Sequence, residues 1–195
     1  MNERPTKELS NGYNAIVDDY IVARSSSGRE LVRDWAERLR AGSSVLDLGA
    51  GFGEPVTAAL IKSGHQVSAI EASPAMVLEF QQRFPDIRIA CEAVENSDFF
   101  GETFDAVCAI GLMFLLSEAE QRLLIQSVAN VLEPGGAFLF SAPVETGTWE
   151  DLLTGRQSTS LGVDAYRRVL GEVGFIALEG RADENGSHYY LTKKA

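Results

Sequence analysis

A chain of 195 residues, 45% hydrophobic and 23% charged, is long and apolar enough to bury the core of one α/β domain. Its net charge of −11 argues against a polyphosphate surface, because nucleic-acid binders cluster Lys and Arg and no such cluster is present. The apolar runs 106–116 and 137–144 are interrupted by Gly or Pro and fall short of the roughly 20 residues a membrane helix requires. The expectation is a cytoplasmic protein with no membrane or nucleic-acid partner and, with Cys91 and Cys108 and two distant histidines at no ligand spacing, no metal.

In chain order, residues 1–10 are polar and read as a mobile tail, while Ile16, Tyr20 and Ala23 share one helical face within 11–23, a short covering helix. Ser27-x-x-Glu30 has capping-box spacing and predicts a helix burying Leu31, Trp35 and Leu39 and ending near Gly42. A strand follows over 44–48, then a tight turn with glycine at every second position, Gly49, Gly51 and Gly53, and a helix over 54–63 with Pro55 in its first turn. Residues 65–70 alternate into a second strand that ends at Glu71. Ser73-Pro74 then supplies an N-cap and first-turn proline for a helix to about Arg83.

Strands are predicted over 87–91, 103–110 and 137–141, with a loop over 92–98 after the first of them. Ser117-x-x-Glu120 opens a helix that Pro134-Gly135-Gly136 terminates. Residues 143–162 form a connection far longer than the usual 2–6 residues, irregular and therefore functional or mobile. A helix over 164–172 and two strands, 175–181 and 188–193, joined around Asn185-Gly186, close the chain. This alternation predicts a Rossmann-like α/β fold: a seven-stranded, mostly parallel sheet with the last strand antiparallel and helices on both faces. The whole chain, 1–195, is expected to be one domain, with 1–43 as a helical cover on the substrate side and 143–162 as the substrate-binding loop.

Ligands of such sheets bind at the carboxyl ends of the strands, where the glycine turn, Glu71, Glu92 and Gly111 converge. A dinucleotide needs G-x-G-x-x-G facing its pyrophosphate; here the third glycine comes one residue early and is followed by Glu54, and Asp47 precedes the turn. Acids at a helix start repel phosphate and suit a cationic, phosphate-free ligand. S-adenosylmethionine fits, with its sulfonium, its ammonium and a ribose whose two hydroxyls Glu71 can accept.

From about Tyr13 to Lys193 the sequence resembles the class I S-adenosylmethionine-dependent methyltransferases, in the group acting on small molecules. Asp47-Leu48-Gly49-Ala50-Gly51-Phe52-Gly53 matches the first motif of that family, and Ala69-Ile70-Glu71-Ala72-Ser73-Pro74-Ala75-Met76 the second, with Glu for the more frequent Asp. Glu92-Ala93 matches the pair that binds the adenine amino group and ring nitrogen, and Phe104-Asp105-Ala106-Val107 with Leu132-Glu133-Pro134-Gly135-Gly136 the fourth-strand and helix-stop signature. The resemblance implies that Asp47, Gly49, Ala50, Gly51, Phe52, Gly53, Glu71, Ala72, Met76, Glu92, Ala93, Ile110 and Gly111 bind the cofactor, with S-adenosylhomocysteine as product. For several of these a structural role competes: Met76 and Phe52 suit a core, Asp47 a turn cap, and Gly111 a strand end.

Catalysis by such an enzyme rests on positioning and exclusion of water, and a base is needed only if the acceptor must lose a proton early. His188, Tyr13 and Tyr20 are the candidates at the mouth, alongside Asp183 and Glu184. Tyr20, Trp149 and Arg156 are candidates for acceptor binding, with Arg156 pairing a carboxylate or phosphate. Two other readings stay open: a catalytically silent S-adenosylmethionine-binding module, and an NAD-dependent oxidoreductase.

Overall fold

The computed structural model describes residues 9–23 and 28–195. Its elements are α1 (Val17–Ala23), α2 (Arg29–Ala36), β1 (Ser44–Leu48), α3 (Val56–Lys62), β2 (Gln66–Glu71), α4 (Pro74–Arg83), β3 (Arg88–Cys91) and β4 (Phe104–Ala109). They continue with α5 (Glu118–Val131), β5 (Leu132–Ser141), β6 (Gly147–Glu150), β7 (Gln157–Ser160), α6 (Val163–Glu172), β8 (Phe175–Ala182) and β9 (His188–Lys194). The main sheet has seven strands in the order β3-β2-β1-β4-β5-β9-β8. Its β1–β2, β1–β4, β2–β3 and β4–β5 pairs are parallel, and β9 runs antiparallel to both β5 and β8.

Because side chains alternate along a strand, neighbouring residues of the central strands feed opposite layers. Leu46, Val107, Phe138 and Phe140 pack under α5 and α6, whereas Val45, Cys108 and Leu139 pack under α2 and α3. At the amino ends, the Asp105 carboxylate accepts the Ser44 amide at 2.9 Å and the Arg40 guanidinium at 2.9 Å, tying β4 to β1 away from the ligand side.

Four expectations are corrected. Residues 9 and 10 belong to the folded body, with Ser10 buried, while 1–8 lie outside the described residues. The 11–23 helix divides into a 3₁₀ turn, Tyr13–Ala15, and α1, because Asn11 and Gly12 start the segment in left-handed conformations and Ile16 breaks it. Gly28 occupies the N-cap position of α2, where a Cβ would stand 2.1 Å from the Tyr189 hydroxyl, and the expected Ser27 box lies outside the described residues. Because α2 stops at Ala36, it buries Val32, Trp35 and Ala36, leaving Leu31 and Leu39 half-buried. Finally, the long connection 143–162 is not irregular: β6 and β7 pair as a separate antiparallel hairpin. The N-cap of α4 and the capping box of α5 form as the sequence predicts, with Ser73 Oγ accepting from Met76 and Ser117 from Glu120.

Candidate functional site

The turn after β1 is pinned before any ligand is considered. The Gly49 and Ala50 amides both donate to the Ile70 carbonyl, at 2.9 and 3.1 Å, so the turn is fastened to the end of β2. Its three glycines all have positive φ, and the space around each differs. A Cβ at Gly49 would press on Leu112, and one at Gly53 would stand 2.3 Å from the Phe84 ring. At Gly51 it would meet only the Tyr20 ring edge, at 3.8 Å, so Gly51 has the most room of the three.

Glu71 closes the other side. One carboxylate oxygen accepts the Gly51 amide at 2.9 Å and the other the Ser73 amide at 2.8 Å, which leaves the remaining lone pairs for a ligand. Burial pushes this carboxyl above its usual range, against the opposing pull of the Ser73, Gly51 and Ala72 amides.

Between them lies a cleft of about 360 Å³ at the carboxyl ends of the strands. Gly49, Gly51, Glu71, Ala72 and Met76 line it from the first two strand ends; Glu92, Ala93, Ile110 and Gly111 line it from the next two. The other positions expected to bind cofactor do not line it. Asp47 is 1% exposed beneath the turn, where it accepts the Thr57 hydroxyl at 2.6 Å. Ala50 and Phe52 are buried, Phe52 against Val17 and Met76. Gly53 is filled by Phe84 and Phe80. Glu54 faces Arg29 at 3.8 Å in a groove between α2 and α3. The negative charge of the cleft therefore comes from Glu71, Glu92, Glu95 and Glu120 instead of Asp47 and Glu54.

The roof comes from the amino-terminal segment. Leu9, Ser10, Asn11, Tyr13 and Tyr20 line the cleft, and Tyr13 and Tyr20 meet edge to face at 5.2 Å. Asn14 Oδ1 accepts the Ser73 hydroxyl and the Ala75 amide, both at 3.0 Å, fastening the segment to the start of α4. The Tyr13 hydroxyl donates to Asp151 at 3.3 Å, fastening it to the β6–β7 hairpin, whose Arg156 also lines the cleft.

Trp149 stands apart, on β6 against Phe114 at 5.9 Å between ring centroids. His188 is likewise outside the lining, packed on the Tyr190 ring, and burial lowers its pKa against the raising effect of Glu145. Asp183 is occupied by the turn amides of Asn185 and Ser187 and by the Tyr189 hydroxyl. Sequence reasoning missed Leu9, Ser10, Val94, Glu95, Leu115, Leu116 and Glu120 as lining residues. Only Glu120 carried a local signal, and that signal was spent on the capping box its carboxylate makes with the Ser117 amide.

Comparison with known proteins agrees with this geometry. Residues 45–136 match a family model described as a methyltransferase domain. A sarcosine/dimethylglycine N-methyltransferase of Aphanothece halophytica is 27% identical over 172 residues, 81% of this chain and 60% of that protein, so the chain spans about three fifths of its length. Among solved structures, 1,6-didemethyltoxoflavin-N1-methyltransferase of Burkholderia thailandensis, with S-adenosylhomocysteine bound, aligns with a TM-score of 0.72 at 19% identity, over 99% of this chain and 93% of that one. The [4+2]-cyclase SpnF aligns at 0.76 and 15% identity over 97% of both chains, a likeness of fold alone. Strand order, glycine turn and the acid at the end of β2 agree with that match, and residues 45–136 of the chain are similar to a methyltransferase domain.

Proposed function

We propose that the protein transfers a methyl group from S-adenosylmethionine to a small amine bearing an anionic group. The observation that carries the cofactor half is Glu71: a carboxylate held by two amides at the end of β2, facing an acidic cleft beside a glycine turn. The residues fit the cofactor, because the acids of the lining oppose a pyrophosphate and favour a sulfonium and an ammonium, and 360 Å³ falls within the roughly 300–1,000 Å³ of small-molecule sites.

When bound, the cofactor supplies an electrophilic methyl on a sulfonium. In this reading Glu71 accepts both ribose hydroxyls, Glu92 and the Ala93 backbone read the adenine, and Met76 packs on it. Gly49, Gly51, Ile110 and Gly111 shape the wall for the methionine portion. Asp47, Ala50, Phe52 and Gly53 act one layer back, holding the turn in shape. Tyr13 and Tyr20 cover the cleft and exclude water, and Arg156 pairs the anionic group of the acceptor. Tyr13 and Tyr20 remain the candidates to take a proton from the acceptor, since His188 is outside the lining. Nitrogen as the acceptor atom draws support from the N-methyltransferases among the relatives.

The same proposal treats 1–195 as one domain, with 1–43 as its cover and 143–162 as the acceptor wall. Cytoplasm is the proposed location: Cys91 and Cys108 are both free thiols, as a reducing compartment requires, and among the described residues no helix is long and apolar enough to cross a membrane.

Two measurements test the reading. Calorimetry with S-adenosylhomocysteine should show micromolar-range binding to the wild type and a loss of about 1–3 kcal/mol in Glu71→Ala, the size of a charged hydrogen bond. Equal affinities would remove the cofactor assignment. Transfer of labelled methyl to sarcosine or another small amino acid should then follow. The rival reading is a module that binds the cofactor and methylates nothing in that screen.

A further inference from the structure

We infer that Gln121 is the positioning residue of the acceptor wall: it clamps the β6–β7 hairpin so that Arg156 stays over the cleft. The inference rests on the reading of Arg156 as the anchor of the acceptor.

Among the described residues the hairpin forms a sheet of its own, closed at its base by the Val163 amide on the Val144 carbonyl at 2.9 Å, and side-chain contacts hold it further out. Gln121, in the first turn of α5, is completely buried, an unusual place for an uncharged amide unless its bonding is complete. Its Nε2 donates to the Thr159 carbonyl of β7 at 2.8 Å and to the Leu116 carbonyl at 2.9 Å, and its Oε1 accepts the Tyr166 hydroxyl of α6 at 2.6 Å. One side chain thus joins the hairpin, the segment after β4 that walls the cleft, and α6. Thr159 is three residues from Arg156, about 10 Å along an extended strand, so the bond fixes the strand close to the arginine it presents. A second contact, Trp149 on Phe114, steadies the outer strand from the same wall. The hairpin tip in turn reaches the roof through Asp151 and Tyr13.

Gln121→Met keeps the volume and removes all three bonds; Tyr166→Phe removes one hydroxyl and leaves both bonds from Nε2. In Gln121→Met, hydrogen exchange of residues 147–160 in the S-adenosylhomocysteine complex should rise about tenfold, and the KM for sarcosine about tenfold, with kcat and S-adenosylhomocysteine affinity within about threefold, the scale of one lost buried bond. Tyr166→Phe should stay within about twofold on every readout. Unchanged exchange in a folded Gln121→Met, or cofactor affinity lost in step with KM, overturns the inference, since the second outcome means the whole cleft has collapsed. If the wild type does not methylate sarcosine, the acceptor reading fails while the exchange and affinity arms still decide the clamp. If Gln121→Met does not fold, Phe114→Ala, at a half-buried position, should raise exchange of the same hairpin about threefold, and no rise there overturns the inference as well.

Discussion

Glu71 is a residue whose two duties oppose each other. In the proposed site its carboxylate accepts the ribose hydroxyls, yet burial raises its pKa, so the surroundings disfavour the charge that role requires. The sign follows from linkage: a carboxyl raised in the folded state contributes stability below its unfolded pKa, and that contribution is lost as pH rises through the folded value. The ionised carboxylate is therefore a cost to the apo protein, which hydroxyl donors of a ligand offset. Affinity for S-adenosylhomocysteine should fall as pH is lowered from neutral, and the fall should begin at a higher pH than an ordinary glutamate would dictate. Glu71→Gln should bind more weakly and show a flat profile over that range. Parallel profiles for the two proteins in calorimetry would mean that another acid governs binding.

At the scale of elements, the structure separates what short-range signals specify from what packing adds. The strands of the main sheet and the caps of α4 and α5 were legible because alternation, Ser-Pro and Ser-x-x-Glu act within a few residues. The hairpin was not: β6 is wholly exposed and β7 buries only Ser158 and Ser160, so neither strand carries an apolar stripe. The same reason hid the roof. Leu9 and Ser10 read as a polar tail because their placement comes from Asn14 binding the start of α4, more than fifty positions away. Glycine spacing told where the chain turns, but the room beside each glycine was decided by Leu112, Phe84 and Tyr20, all distant in sequence.

The cap of α5 gives a direct check at this scale. Ser117 and Glu120 satisfy each other's amides, and the same helix presents Gln121 to the hairpin. Ser117→Ala should lower stability by about 1 kcal/mol in urea unfolding, with the slope of the transition unchanged. A loss within error would show that Glu120 alone keeps that end of the helix in place.

For the molecule as a whole, charge is the property that selects the ligand. The chain carries −11, and four glutamates line a cleft in which Arg156 is the cation among the described lining residues. Such a cleft concentrates field in a low-dielectric groove, so a ligand that differs by one positive charge feels it directly. S-adenosylmethionine and S-adenosylhomocysteine are that pair, nearly identical in shape and distinct by the sulfonium charge. Raising salt from about 0.05 to 0.5 M shortens the screening length from over 10 Å to roughly 4 Å, which weakens the pull of the more distant acids and spares short contacts such as Glu71 to a ribose. Affinity for S-adenosylmethionine should therefore decline over this range by at least twice as much, in log units, as affinity for S-adenosylhomocysteine. Titrations of both ligands at the two salt concentrations decide it. Equal slopes would mean that the glutamates of the cleft act through local hydrogen bonds alone, and that the acidity of the fold has no part in choosing the cofactor.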